Sequence, residues 1–215
     1  THRWNPHLRK ARKIVADGEI GKISTIDASL CFISKPDGNV RYSKQLGGGS
    51  LYDAGCYAIY ATRFVMSDEP IKVYGAANYS KKWGIDTTFT GILEFRDGIM
   101  GTITSSMNQP FRSQISIHGS KGRIEIPGMF DDSGPIIIKR GDGRNNRNEQ
   151  VVATSATYRF VAQLDEFSEC VLTGKDPEFP AEDGLRNTAV IEALYKSASS
   201  GQSINLDEKI ISLLK

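Results

Sequence analysis

The sequence predicts an α+β domain built on one open, mostly antiparallel β-sheet with helices beside it. Three observations support this: helical periodicity at both ends of the chain, alternating apolar residues between them, and glycine-containing turns that connect successive strands. Strands joined by tight turns pair antiparallel, because a parallel pair needs a crossover of about a dozen residues. The 215 residues fit one such domain.

The first third of the chain predicts two helices with a strand between them. Asn5 and Pro6 suit a helix start, because asparagine caps free amides and proline fits the first helical position. Beyond Gly21 apolar and polar residues alternate, which is typical of a half-buried strand. The second helix is expected over residues 51–66, with Ser50 as its N-cap.

The middle of the chain predicts hairpins, and the last third predicts two amphipathic helices. Asp97 and Gly98 suit a type I′ turn, since both central positions of that turn need a positive φ. A second hairpin is expected around residues 119–122, and a third with its connection over residues 141–148. The apolar residues of the two helices are Phe160, Leu164, Phe167 and Val171, and then Val190, Leu194 and Ala198.

Composition and charge argue against several classes of protein. The chain has 27 Lys and Arg against 25 Asp and Glu, a net charge of +2 that is too balanced for a typical nucleic-acid-binding protein. It has no apolar run of ~18 residues that could cross a membrane, and no signal-peptide core. Its three widely spaced cysteines argue against a disulfide framework or a zinc site, so we expect no metal and a cytoplasmic location.

Residues 47–60 carry the side chains best suited to chemistry. Asp53 and Tyr57 are four residues apart in a predicted helix, so they share one face. A carboxylate beside a phenol could move a proton to or from a substrate hydroxyl, although a phenol of pKa about 10 needs a nearby cation to act as a base. The alternative is structural: Asp53 would favour the helix dipole, and Tyr57 would pack with its hydroxyl bonded.

Three consecutive glycines, Gly47, Gly48 and Gly49, precede that helix. Their amides could face an anion, but they do not form the G-x-G-x-x-G motif of a dinucleotide-binding loop. The alternative is a tight turn that lets the helix approach a bulky neighbour. In the loop before the glycines, Arg41 and Tyr42 could reach a sugar or phosphate, or they could be solvated.

The segment G-G-G-S-L-Y-D-A-G-C-Y at residues 47–57 resembles the signature of the glucose–fructose oxidoreductase/inositol dehydrogenase/MocA-like (Gfo/Idh/MocA) family. Arg3-Trp4-Asn5-Pro6 and Asn39-Val40-Arg41 agree with the same family in order, and the likeness covers nearly the whole chain. The tyrosine form of the signature, with Asn-Val-Arg upstream, is most similar to the branch of dihydrodiol dehydrogenase and NADP-dependent xylose dehydrogenase.

This resemblance implies a fold like the C-terminal domain of glyceraldehyde-3-phosphate dehydrogenase. It also implies an oxidoreductase that transfers a hydride between NAD or NADP and a sugar, polyol or dihydrodiol. Tyr57 would be the acid/base residue, and Asp53 would hold the substrate hydroxyl. The predicted substrate-binding residues are Arg41, Arg3 and Tyr42, and the predicted cofactor-binding residues are Gly48 and Gly49.

The family's N-terminal dinucleotide-binding domain is missing from these residues. We therefore expect residues 1–215 to be the substrate-binding and oligomerisation domain, inactive by itself. The resemblance also implies a homodimer or homotetramer formed through the sheet face, which apolar residues on that face would support. Two alternatives stay open: NAD-dependent glycosidase or sugar-nucleotide oxidation chemistry on the same fold, and a non-catalytic binding or scaffold domain.

Overall fold

A computed structural model describes residues 1–132, 134–141, 149–154 and 158–206 of the chain. The helices are α1 (Pro6–Ala16), α2 (Cys56–Met66), α3 (Arg159–Thr173) and α4 (Ala181–Ser200). The strands are β1 (Ile23–Ile33), β2 (Lys72–Tyr79), β3 (Asp86–Glu94), β4 (Met100–Ser106), β5 (Asn108–Gly119), β6 (Gly122–Ile126), β7 (Pro135–Arg140), β8 (Glu149–Ala153) and β9 (Ile204–Asn205).

These strands form one sheet in the order β8-β7-β6-β5-β1-β4-β3-β2-β9. Between the strands so described, the pairing of β1 with β4 is parallel and the other pairings are antiparallel. The predicted α+β fold with an open, mostly antiparallel sheet is therefore confirmed. The sequence pattern did not show that β1 lies between β4 and β5, where it divides the predicted run of hairpins in two.

The predicted turns are present. Asp97 and Gly98 have φ values of 58° and 75°, as the type I′ turn between β3 and β4 requires. The second hairpin joins β5 to β6 around residues 119–122. In the third, β7 pairs with β8, while residues 142–148 of its connection lie outside the described residues.

The main core lies between one face of the sheet and helices α1, α2 and α4. Asn5 caps α1 as predicted, because its side chain accepts a hydrogen bond from the His7 amide at 3.2 Å. Helix α4 lies close to β2: a Cβ at Gly75 would be 2.6 Å from the Leu194 carbonyl oxygen, so only glycine permits this approach. On the opposite face, β3 and β4 carry the paired threonines Thr90 and Thr104, with Thr88 and Thr102 on either side of them.

Helix α3 is the exception to this packing. It forms over the predicted residues, but none of its described side chains is buried. The face that carries Phe160, Leu164, Phe167 and Val171 is 45% to 68% exposed at those residues. Within the described ranges, no helix has the length and apolar character needed to cross a membrane.

Candidate active site

Helix α2 is preceded by a π-helical turn, Leu51–Gly55, in which the Cys56 amide donates to the Leu51 carbonyl five residues earlier. Such wide turns occur frequently at functional sites. The prediction that Ser50 caps this helix was wrong, since its side chain bonds no helix amide. The buried Asp86 carboxylate on β3 caps it instead, accepting from the Leu51 amide at 2.9 Å. An ionised carboxylate is a stronger acceptor than a hydroxyl and favours a helix N-terminus.

The Asp86 carboxylate also fixes the loop before the helix. It accepts hydrogen bonds from the Ser50 hydroxyl and the Tyr195 hydroxyl, both at 2.6 Å. Gly49 lies directly against this pair with φ +127°, and a Cβ there would collide with the Asp86 carboxylate and approach the Tyr195 oxygen to 2.9 Å. The glycine therefore lets the loop pass over a bulky polar cluster.

Two of the three glycine amides are used inside the loop itself. The Gly48 amide donates to the Ser43 carbonyl at 2.8 Å, and the Gly49 amide donates to the Arg41 carbonyl at 3.0 Å. Both donors are therefore occupied. These two bonds fit the tight-turn interpretation, and binding of a cofactor at Gly48 and Gly49 stays a prediction.

Arg41 and Asp53 are brought together, although one lies in the loop and the other in the π-helical turn. The Arg41 Nε donates to the Asp53 carboxylate at 2.7 Å, and the guanidinium lies 5.7 Å from the ring of Phe32 at the end of β1. The Asn39 side chain holds the Arg41 amide at 3.0 Å and so directs the loop back toward the helix. Among the described residues, no acceptor bonds the terminal amino groups of Arg41, so these remain able to bind a ligand.

Tyr57 lies one turn beyond Asp53, and its ring packs between two aromatic neighbours. The centroid of the Phe130 ring is 4.9 Å from that of Tyr57, edge to face, and the centroid of the His2 ring is 5.6 Å away. In the described part of the chain, no group hydrogen-bonds to the Tyr57 hydroxyl. A rigidly held ring thus presents a free O–H group.

The pKa of Tyr57 is raised above its ordinary value, and burial is the main cause. The neighbouring Cys56 and Asp53 raise it further. The guanidinium groups of Arg159 and Arg41 lower it, but less than burial raises it. The cations that a phenolic base would need are present, yet the phenol stays protonated at neutral pH.

Arg159, the first residue of α3, is a site residue that the sequence did not indicate. Its guanidinium donates to the Asp132 carboxylate at 2.6 Å and to the Phe130 carbonyl at 2.9 Å, and it lies 4.6 Å over the Phe130 ring. Because Arg159 is remote from Tyr57 in sequence and follows no recognisable motif, only the folded chain shows that its charge reaches this tyrosine.

His2 was also missed. His2 is 4% exposed, and its ring contacts the rings of Tyr57, Tyr60 and Phe130. Burial lowers the pKa of His2 to about 3, so the imidazole is neutral at physiological pH. Neither ring nitrogen has a hydrogen-bond partner among the described residues. His2 therefore acts here as an aromatic packing group.

Two predicted substrate-binding residues lie outside this cluster. The Arg3 guanidinium pairs with Asp183 at 2.9 Å and lies 4.9 Å over the rings of both Tyr60 and Phe179. Tyr42 is buried, and its hydroxyl donates to the Ser34 carbonyl at 2.9 Å. Both side chains are thus engaged in packing, and their binding of substrate stays a prediction.

The arrangement suits proton donation to an oxygen atom. The Tyr57 O–H is free, and the guanidinium groups of Arg159 and Arg41 lie near enough to stabilise negative charge that develops on the phenolic oxygen. The Asp53 carboxylate and the terminal amino groups of Arg41 can bond the hydroxyl groups of a ligand. No group of three or more His, Cys, Asp or Glu side chains in the described ranges could hold a metal ion.

Comparison with known proteins shows which family the chain belongs to. The chain is 28% identical over 214 residues to the D-xylose 1-dehydrogenase (NADP(+)) 2 of Haloferax volcanii, covering 96% of this chain and 63% of that protein. It is 28% identical over 138 residues to the trans-1,2-dihydrobenzene-1,2-diol dehydrogenase of Xenopus laevis, covering 63% of this chain and 41% of that protein. The chain spans about three fifths of the length of the curated relatives that it matches over nearly its whole length.

A solved structure agrees with these relatives. The aldose-aldose oxidoreductase of Caulobacter crescentus, complexed with glycerol, superposes with a TM-score of 0.86 at 28% identity, covering 95% of this chain and 62% of that one. Residues 8–125 match the family model described as the GFO/IDH/MocA C-terminal domain. The chain therefore belongs to the GFO/IDH/MocA family, and it corresponds to the C-terminal domain of the family's members.

Proposed function

We propose that this chain is the substrate-binding domain of an NAD(P)-dependent oxidoreductase that acts on a sugar, polyol or dihydrodiol. We further propose that it works beside a dinucleotide-binding domain in a two-domain enzyme. The observation that carries this proposal is the free hydroxyl of Tyr57 beside the Arg41–Asp53 pair. The names of the matched relatives, a xylose dehydrogenase and a dihydrodiol dehydrogenase, support the substrate class.

We infer that the loop of Gly48 and Gly49 does not cradle the dinucleotide. The Gly48 and Gly49 amides are occupied within their loop, and they leave no free donors there for a pyrophosphate group. We therefore assign NAD or NADP to the other domain, where its nicotinamide would supply or accept the hydride. The relative from Haloferax volcanii is named as an NADP enzyme, which favours NADP.

The residues of this chain would orient the substrate and handle its proton. The raised pKa of Tyr57 keeps the phenol protonated, so it can donate to a carbonyl oxygen that is being reduced. Asp53 would accept a hydrogen bond from a substrate hydroxyl, and the free amino groups of Arg41 would donate one. The site is thus better prepared for the reductive direction than for base-catalysed oxidation.

A substrate panel tests this function. Aldoses, polyols, trans-dihydrodiols and keto sugars would be supplied to the two-domain enzyme with NADPH, NADP, NADH and NAD, while absorbance at the nicotinamide band is followed. We expect stoichiometric dinucleotide turnover with at least one polyhydroxylated class. Conversion of the substrates without any need for a dinucleotide, or no turnover by the whole panel, would contradict the proposal.

We also propose that two copies associate through the outer face of the sheet. On the described strands the large apolar side chains that are exposed are those of Ile33, Tyr74, Tyr79, Ile92, Phe111 and Val151, and they come from five different strands. The support is the shape of the face: short side chains such as those of Thr90, Thr102 and Thr104 leave it flat enough for two sheets to stack about 10 Å apart. The three free cysteines fit a cytoplasmic location.

A further inference from the structure

Helix α3 carries an apolar stripe that the described residues leave uncovered. Phe160, Leu164, Phe167 and Val171 fall within a sector of about 60° around the helix axis, because successive residues turn by about 100°. Each of the four side chains is 45% to 68% exposed. The helix has 15 residues and extends for about 22 Å, so the stripe is long enough to contact a body of domain size. Contiguous exposed apolar surface of this kind marks a protein contact.

The helix is anchored to the rest of the chain by polar contacts at a few points. The Trp4 indole donates to the Glu166 carboxylate, which also accepts from the Glu178 amide at 3.0 Å. At its N-terminus, Arg159 is held by Asp132 and by the Phe130 carbonyl. These bonds fix the helix position and direct the apolar stripe away from the chain's own core.

The position of α3 relative to Tyr57 indicates what covers the stripe. α3 contacts the first turn, His2–Trp4, which also contacts α1 and α2, so it lies on the helical side of the sheet. Its N-terminal Arg159 stands over Phe130, the ring that packs against Tyr57. Hydride transfer needs its donor and acceptor atoms about 3–3.5 Å apart, so a nicotinamide-bearing domain must lie against this same end of the molecule.

We propose that the stripe on α3 is the docking surface for the dinucleotide-binding domain, and that Arg159 links this docking to the Tyr57 site. The inference rests on the proposed function for the identity of the docked domain. The matched relatives leave room for such a domain, because they extend well beyond the part that this chain covers. A second copy of this chain is a weaker candidate, because the sheet face proposed for self-association lies on the opposite side.

The link to the site follows from Arg159 being the first residue of the docking helix. A domain seated on the stripe holds α3 in place, and α3 holds the guanidinium over Phe130. Loosening the helix would free Arg159 from Asp132 and remove one of the charges near the Tyr57 hydroxyl. Docking and proton donation are then coupled through one side chain.

The test compares two substitutions on one helix in the two-domain enzyme. Phe167→Ser lies in the stripe, whereas Leu172→Ser, at a position 85% exposed, lies to one side of it and serves as the control. Small-angle scattering, hydrogen exchange of the α3 amides, light-scattering mass and steady-state kinetics would be measured on each. Leu164→Ser repeats the stripe substitution in case Phe167→Ser fails to fold.

We expect Phe167→Ser to enlarge the radius of gyration, to speed amide exchange in α3 and to lower kcat/KM at least tenfold. Its mass by light scattering should stay unchanged. Leu172→Ser should behave like wild type in all four measurements. Wild-type scattering and exchange in both stripe variants would overturn the proposal. The proposal would also be overturned if a stripe variant had half the wild-type mass while the two domains of each protomer kept their arrangement, since a second copy would then cover the stripe. Scattering and exchange report docking even if the substrate panel gives no turnover, so the two proposals fail separately.

Discussion

Tyr57 is subject to opposing electrostatic influences at the scale of single residues. Burial raises its pKa, and the guanidinium groups of Arg159 and Arg41 lower it. The sequence predicted the Asp53–Tyr57 pair, because spacing along one helix determines which side chains are neighbours. It could not predict Arg159 or His2, because both reach Tyr57 only through contacts between remote segments of the chain.

Replacing Arg159 tests the balance around the phenol. Since Arg159 lowers the Tyr57 pKa, Arg159→Met should raise it further. Reduction needs the protonated phenol, so activity is lost as the pH rises through this pKa. The alkaline limb of the kcat/KM profile should therefore move to higher pH, and Arg140→Met, at a residue that pairs with Glu19, should leave it in place. A limb that moves to lower pH would refute the assigned influence of Arg159.

His2 should affect stability through its ring rather than its charge. His2→Phe keeps the aromatic contacts with Tyr57 and Phe130 and removes two nitrogens that lack partners among the described residues, so the stability of the variant at pH 7 should match or exceed wild type. His2→Ala removes the ring and should cost about 2–4 kcal/mol of unfolding free energy. Urea denaturation measures both, and equal losses in the two variants would contradict this role.

The buried imidazole also predicts a pH dependence with a definite sign. The folded-state pKa of His2 is about 3 and its ordinary value is 6.5. Between these values the unfolded chain binds a proton that the folded chain does not, so wild-type stability falls as the pH falls through this window. His2→Phe should lose less stability than wild type between pH 7 and pH 5. If the stability of His2→Phe fell with pH as steeply as that of wild type, His2 would not contribute to the pH dependence.

At the scale of elements, the start of α2 depends on a carboxylate from another strand. Asp86 accepts from the Leu51 amide and from the Ser50 and Tyr195 hydroxyls. Asp86→Asn replaces a charged acceptor with a neutral one and places an NH₂ group beside existing donors. It should lower the unfolding free energy by about 1–3 kcal/mol. Asp97→Asn, in an exposed turn, should change it by less than about 0.5 kcal/mol. Equal effects in urea denaturation would contradict the capping role.

Elements defined by local patterns were predictable, and those defined by distant partners were not. The Asn5 cap and the Asp97–Gly98 turn follow from nearest neighbours in sequence. The central place of β1 depends on pairing with two strands that come much later, and no local pattern encodes it. The capping of α2 by Asp86 was missed for the same reason, since a plausible local cap, Ser50, was available.

At the scale of the whole molecule, association through the sheet can be tested by one charge. Thr104 lies on the outer face of β4, between Ser29 of β1 and Thr90 of β3. Thr104→Arg would place an unpaired charge in a stacked interface and should convert a dimer to monomers. Light scattering measures the change in mass. Lys22→Arg, at an exposed residue before β1, keeps its charge and serves as the control. An unchanged mass for Thr104→Arg would place the interface elsewhere.

The central claim is that the Tyr57 hydroxyl handles the proton of the reaction, and one comparison tests it most directly. Tyr57→Phe and Tyr60→Phe each remove one hydroxyl from α2, and Tyr60 has no hydrogen-bond partner among the described residues. In the two-domain enzyme we expect Tyr57→Phe to lower kcat by about 100-fold or more with dinucleotide affinity unchanged, and Tyr60→Phe to stay within about twofold of wild type. A Tyr57→Phe enzyme with near-wild-type kcat would contradict the account.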